Sequence, residues 1–407
     1  MVNPTPSPLL PRREFLKYSA LLPSLPWLAA ACAGAPSRTP QGDRTLVVLE
    51  LNGGNDGLNT VVPFRDEGYA AHRKVLRIPD DKLLKVGQDL GLHPSLRGIA
   101  TLHERGELAI VQGVGYPDPN LSHEVSLATW HTARLDRPGR AGYGWIGTAL
   151  DREPARAGQQ PDAHRAPRAL LAGPHALPRA LRARKTPIAT LPSLEAYLEA
   201  GEVGTDALLA SPSDSEMAEH IRRALVDARS TAKALAEVAD GTQAGARYPA
   251  SRLGKDLALI SRLIRGGFGT EVYYAIQNGY DTHSLQATSH ANLLQELGDA
   301  LLAFLDDMRA IGRAGDVLVL VFSEFGRRVQ ENASQGTDHG TAGPVFLAGA
   351  PVRAGLHGRT PSLDDLDDGN LKATVDFRSV YASVLRDWMR IDPQAVLGEA
   401  FPVLPLV

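Results

Sequence analysis

Acidic and imidazole side chains recur in this chain just past apolar runs. Asp56 lies in NGGNDGLN after RTLVVLEL, and Asp281 and His283 lie in NGYDTH after TEVYYAIQ. Glu324 closes DVLVLVFSE, and Asp338 and His339 stand in GTDHGTAG ahead of GPVFLAG. Carboxylates brought together repel and raise each other's pKa unless a cation neutralises them. Carboxylate oxygen with imidazole nitrogen suits zinc, manganese or iron, whereas oxygen ligands alone suit calcium or magnesium. The set therefore predicts a divalent metal (zinc, manganese, calcium or magnesium) that activates water and clamps a phosphoryl group.

A nucleophile and an anion-binding pair complete that chemistry. Ser122 begins a helical stretch in DPNLSHEVSLATW, where free N–H groups and the helix dipole stabilise an alkoxide or a bound anion. Beside it, His123 suits either a substrate contact or the surface. Arg327 and Arg328 in SEFGRR can grip a phosphate or sulfate in bidentate fashion.

Each residue also has a plainer role. Asp56 beside Gly suits a turn, Asp281 a helix cap, and Ser122 an N-cap. His283 suits a loop hydrogen bond, and Asp338 and His339 suit bonding to each other. Glu324 can pair with Arg327 or Arg328, and the arginines with Glu324 or Glu331. The common position at strand ends sets the group above its members.

The elements that must position these groups follow from periodicity. RTLVVLEL, 107–114, TEVYYAIQNG, DVLVLVF and GPVFLAG read as buried strands. Helical patterns cover 94–105, SHEVSLATWHTA, DSEMAEHIRRALVDARSTAKALAEVADG, SRLGKDLALISRLIRGG, HANLLQELGDALLAFLDDMRAIG and DFRSVYASVLRDWMRI. Strand and helix in alternation predict an α/β fold with a mostly parallel sheet flanked by helices. In such sheets ligands bind beyond the carboxyl ends of the strands. Residues 36–407 read as one domain. A Pro-, Ala- and Arg-rich and helical insertion spans about 151–250, with short strands at RALLAG and TPIATL. No internal repeat, P-loop or dinucleotide fingerprint is present.

The first 35 residues read as an export signal. Arg12 and Arg13 precede an apolar stretch broken by Pro23 and Pro26, and Ala-x-Ala patterns follow. The paired arginines are of the twin-arginine type, with an ordinary secretory signal or a short anchor as the alternatives. Export places the protein in the periplasm or outside the cell, with no transmembrane span in the mature chain. Cys32, the sole cysteine, falls in this segment, so the mature chain has no thiol for zinc or for nucleophilic attack. Lipid anchoring through Cys32 is the lesser alternative, since Ala29 stands where a leucine would favour it. The charge is near balance, 43 basic against 46 acidic residues for a net of −3, which gives no attraction to nucleic acid.

LELNGGNDGLNTVVP, LSHEVS, NGYDTHSLQ, SEFGRRVQENASQGTDHG and TVDFRSVYASVL together resemble the bacterial family catalogued as domain of unknown function 1501, over nearly the whole mature chain. That family has no settled activity. It resembles, more distantly, the alkaline phosphatase and sulfatase superfamily. This likeness implies metal binding by Asp56, Asp281, His283 and His339 and a nucleophile at Ser122. It also implies an Asp-His pair where this chain has Glu324-Phe325, with Asp338 as a replacement ligand. The sequence thus points to a metal-dependent hydrolase of phosphate or sulfate esters. The alternative is a non-catalytic envelope binding or assembly protein on the same fold. A carbohydrate-binding role is weaker, because only 6% of residues are aromatic.

Overall fold

The computed structural model describes residues 44–136, 142–152, 166–193 and 245–407. The export signal with Cys32, and the helical pattern at 213–241, lie outside the described residues.

A nine-stranded sheet forms the centre. Its strands are β1 (Thr45–Asn52), β2 (Leu108–Gly115), β3 (Ala169–Ala172), β4 (Ile188–Leu191), β5 (Val272–Asn278), β6 (Val317–Phe322), β7 (Gly343–Ala348), β8 (Gly355–His357) and β9 (Val375–Asp376). The order is β8-β2-β7-β6-β1-β5-β3-β4, with β9 also on β2. β4, β3, β5, β1 and β6 are mutually parallel. Only β7 runs against both its neighbours, β6 and β2. Two strands of the segment read as an insertion, β3 and β4, therefore belong to the sheet itself.

Helices cover both faces. Val47, Leu49 and Leu51 of β1 pack toward α1 (Arg97–Glu104), α4 (Arg252–Arg265) and α5 (Gln286–Ala310). Leu46 and Val48 point the other way, toward α2 (His123–Thr132), α3 (Trp145–Arg152) and α6 (Phe377–Ser383). Coverage on both faces explains why the central strands are continuous apolar runs rather than alternating ones. Among the described residues, no helix is long and apolar enough to cross a membrane.

This topology assembles the site. The parallel strands β1, β5 and β6 end on one edge, which brings 53–56, 279–283 and 323–324 together. Because β7 is antiparallel, its start lies on that same edge, and the segment 323–342 leaves and returns there. β2 runs with β6, so its end delivers the chain to Ser122 and the start of α2.

Candidate metal centre

Asp281 Oδ1 is the point of convergence. His283 Nε2 lies 3.0 Å away, His339 Nε2 3.1 Å and His123 Nε2 3.5 Å. His283 Nε2 and His339 Nε2 are 2.9 Å apart. His123, Asp281 and His339 offer ligand atoms all within 4.8 Å of one another.

The outer nitrogens of the three rings are all occupied. His339 Nδ1 donates to the carbonyl of Leu121 at 2.7 Å. His283 Nδ1 pairs with Asp338 Oδ1 at 3.1 Å, and His123 Nδ1 with Glu324 Oε1 at 2.9 Å. A carbonyl or a carboxylate only accepts, so in the neutral ring the proton sits on Nδ1 and Nε2 carries a lone pair. Three such lone pairs face one carboxylate oxygen. His123 Nε2 is enclosed and has no hydrogen-bond partner. This donor set fits a cation: its members are all acceptors, and their partners have the form of the outer shell that orients metal-bound histidines.

Charge supports the same reading. Arg327 donates to Asp281 Oδ1 at 2.7 Å, and Arg73 binds Asp56 through both nitrogens, at 2.6 and 3.0 Å. These two pairs cancel. Glu324 and Asp338 remain, one behind His123 and one behind His283, and their two negative charges match one divalent ion. Burial opposes ionisation of Asp281, but the bond and charge of Arg327 hold its pKa near 2. The bond to Glu324 raises His123 above the ordinary histidine range. The Asn332 and His283 bonds lower Asp338.

The residues singled out from the sequence thus separate into layers. Asp281, His283 and His339 meet directly. Glu324, fully buried, and Asp338, exposed, stand one step outward and orient histidines. Glu324 Oε1 also accepts the N–H of Gly53 at 2.9 Å. The structure does not bring Asp56 to the cluster. Gln286 donates to its Oδ2, the oxygen that Arg73 Nη1 also binds, and its pKa stays near 2 because the guanidinium outweighs burial. Arg327 is 1% exposed and donates to the carbonyls of Gly53, Gly54, Tyr280 and Thr337 besides Asp281, so its guanidinium is buried among the protein's own acceptors. Arg328 turns outward to Asp368 at 3.1 Å.

Ser122 is exposed at the N-cap of α2, and its hydroxyl caps no backbone N–H. Its neighbour His123 joins the cluster, a role the sequence left open between substrate contact and surface. Arg73 carried no sequence signal, because its partner lies 17 residues away with no motif between them. Phe325, where the superfamily likeness implies a histidine, is 3% exposed and packs its ring 5.0 Å from His123 and 4.8 Å from His339. The imidazole at this corner comes instead from α2. Two glycines are required here. Gly53, at φ +123°, would place a Cβ 2.4 Å from the Asp281 nitrogen, and a Cβ at Gly336 would lie 2.2 Å from the His283 carbonyl carbon.

Residues 43–400 match the family described as "Protein of unknown function (DUF1501)", and the chain belongs to that family. No curated protein matches it. Among solved structures it is similar to Ps i-CgsB in complex with k-i-k-neocarrahexaose at 9% identity, with 88% of this chain and 73% of that one covered and a TM-score of 0.39. The PsFucS1 sulfatase from Pseudoalteromonas sp. is similar at 11% identity, 84% and 67% coverage and a TM-score of 0.33. Alkaline phosphatase from the Antarctic bacterium TAB5 gives 12% identity, 78% and 94% coverage and a TM-score of 0.30.

Proposed function

We propose that this member of the DUF1501 family is an exported hydrolase of phosphate or sulfate esters that works with one divalent metal held by His123, Asp281, His283 and His339. One observation carries the reading: three imidazoles have their Nδ1 atoms engaged by acceptors and turn their Nε2 lone pairs on a single carboxylate oxygen. Three nitrogens and one oxygen suit zinc best. When bound, such a metal polarises an ester oxygen and lowers the pKa of a neighbouring hydroxyl or water.

The protein's own groups supply the rest. The Ser122 hydroxyl is free of capping duty and next in sequence to the ligand His123. The α2 N-terminus beside it offers N–H groups and a positive dipole to an anionic ester head. Arg327 fixes Asp281, and Glu324 fixes His123, so neither ligand must reorganise when charge develops. The paired Arg12 and Arg13 of the expected export signal support a periplasmic or external site.

Phe325 favours one rival, an envelope binding or assembly protein in which the ion is structural, because it closes a corner of the cluster with an apolar ring. Elemental analysis of signal-free protein purified without chelator, then reconstituted with zinc, tests the shared premise. About one metal per chain, lost in His339→Ala, is expected. A blank in both preparations would sink the metal site. Metal-replete protein that leaves phenyl phosphate and phenyl sulfate intact would put the binding protein first.

A further inference from the structure

Gln286, the first residue of α5, is fully buried, and its amide meets three separate loops. Nε2 donates to Asp56 Oδ2, just past β1. Oε1 accepts from the Thr282 hydroxyl at 3.0 Å and from the Thr337 hydroxyl at 2.6 Å. Charge dictates this orientation. Asp56, ionised against Arg73, only accepts, so the amide nitrogen must face it and the oxygen is left for the two hydroxyls.

The two threonines stand among the ligands. Thr282 lies between Asp281 and His283, and Thr337 lies next to Asp338 and two residues before His339. Their side chains point inward: Thr282 is buried, and Thr337 fully so. The ligands themselves are open, with the Asp281 side chain 49% and the His283 side chain 44% exposed. Side chains so exposed take little direction from packing, so the backbone that carries them must be fixed from within. Arg327 does part of this through the carbonyls of Tyr280 and Thr337. Gln286 does it through side chains, by closing the two ligand-bearing segments on one oxygen. It belongs to a 25-residue helix, a rigid base for that closure. An apolar residue would fill the same space without the cost of burying an amide.

We infer that Gln286 is a positioning residue of the metal centre, which ties the Asp281–His283 and Asp338–His339 segments together through Thr282 and Thr337. Asp56 serves the site by the same route: it fixes the amide and does not touch the cluster. This rests on the metal reading above and deepens it.

Zinc affinity by chelator competition and the visible spectrum of cobalt-loaded protein test it. In Gln286→Met, similar in length but without the amide, zinc should bind about tenfold more weakly and the cobalt bands should shift. Thr282→Val and Thr337→Val, which keep the shape, should each weaken zinc by about two- to tenfold. Both hydroxyls act through one oxygen, so either valine change should cost less than about twofold more when added to Gln286→Met. Ser261→Ala removes a buried hydroxyl from Asp307 between α4 and α5, and should lower stability with zinc affinity unchanged. Gln286→Met within about twofold of wild type, valine changes that add in full, or an equal zinc loss in Ser261→Ala would each overturn the inference. If Gln286→Met does not fold, the valine variants decide, and zinc affinity within about twofold of wild type in both overturns it. Wild type that binds neither zinc nor cobalt would refute the metal site itself, and the inference would fall with it. Wild type and variants that bind alike would sink the inference alone.

Discussion

His283 Nε2 lies 2.9 Å from His339 Nε2, although each ring already gives its Nδ1 proton to another acceptor. Two neutral rings so placed direct lone pairs at each other. A cation held by these rings would remove that repulsion, with Asp281 and His123 as its further candidate ligands. Chelator competition should therefore show that His123→Ala, His283→Ala and His339→Ala each weaken zinc binding by more than about 100-fold, beyond the range of orienting residues. Unchanged affinity in the His123 variant would remove α2 from the ligand set.

Orienting residues should act more mildly. In Glu324→Gln a neutral amide replaces the carboxylate behind His123, and zinc affinity should drop by about 10- to 100-fold while the ligands stay in place. Asp338→Asn should cost less, because its side chain is 56% exposed and water can replace the bond to His283. Equal losses in the two variants would show that burial does not govern this outer shell.

Two aspartates that look alike in sequence should part company. Asp56→Asn leaves Arg73 buried without its counter-charge and should lower stability by about 3–5 kcal/mol, with metal content intact. Asp281→Asn should abolish metal binding at a smaller cost in stability, since Arg327 keeps four backbone carbonyls, those of Gly53, Gly54, Tyr280 and Thr337. Urea unfolding and elemental analysis on both variants check the crossover. A metal-free Asp56→Asn that folds normally would contradict it.

Ser122→Ala separates a nucleophile from a cap. A side-chain N-cap replaced by alanine typically costs about 1 kcal/mol. Here the hydroxyl makes no capping bond, so stability should change by no more than about 0.5 kcal/mol while ester hydrolysis is lost. Hydrolysis that persists would leave water, not Ser122, as the attacking group.

Stability should fall in two steps as pH is lowered. Burial holds His93 and His290 near 4, below the usual 6.5, so they stay neutral in the fold while the unfolded chain takes up protons. Their stabilising contribution is complete above about pH 6.5 and lost as pH falls toward 4. Asp56, held near 2, contributes about 2 kcal/mol above pH 4 that disappears as pH drops through 2. Urea unfolding across pH 7 to 4 should show proton uptake that diminishes in His93→Gln. An unchanged slope would exclude His93 as its source.

The layered fold was legible because continuous apolar runs and 3.6-residue periods are local properties. The runs at β1, β5 and β6 and the patterns of α4 and α5 carry their own burial in their composition. HANLLQELGDALLAFLDDMRAIG marked α5, yet the helix begins earlier, at Gln286, because that residue is buried against Asp56, a contact no local pattern encodes. The antiparallel sense of β7 was equally hidden, since a strand's direction is set by its neighbours.

By itself the sequence determined that acidic and imidazole groups gather at one edge of an α/β sheet, because a parallel sheet sends every strand end to the same side. It could not rank them. Asp56 and Asp281 both follow strands and both stand in Gly-containing turns, and only tertiary contact gave the first to Arg73 and the second to three histidines. The same holds for His123, whose place rests on Glu324, 201 residues further along the chain. A ligand is defined by where its lone pair points, and that direction is fixed by long-range hydrogen bonds to its far side.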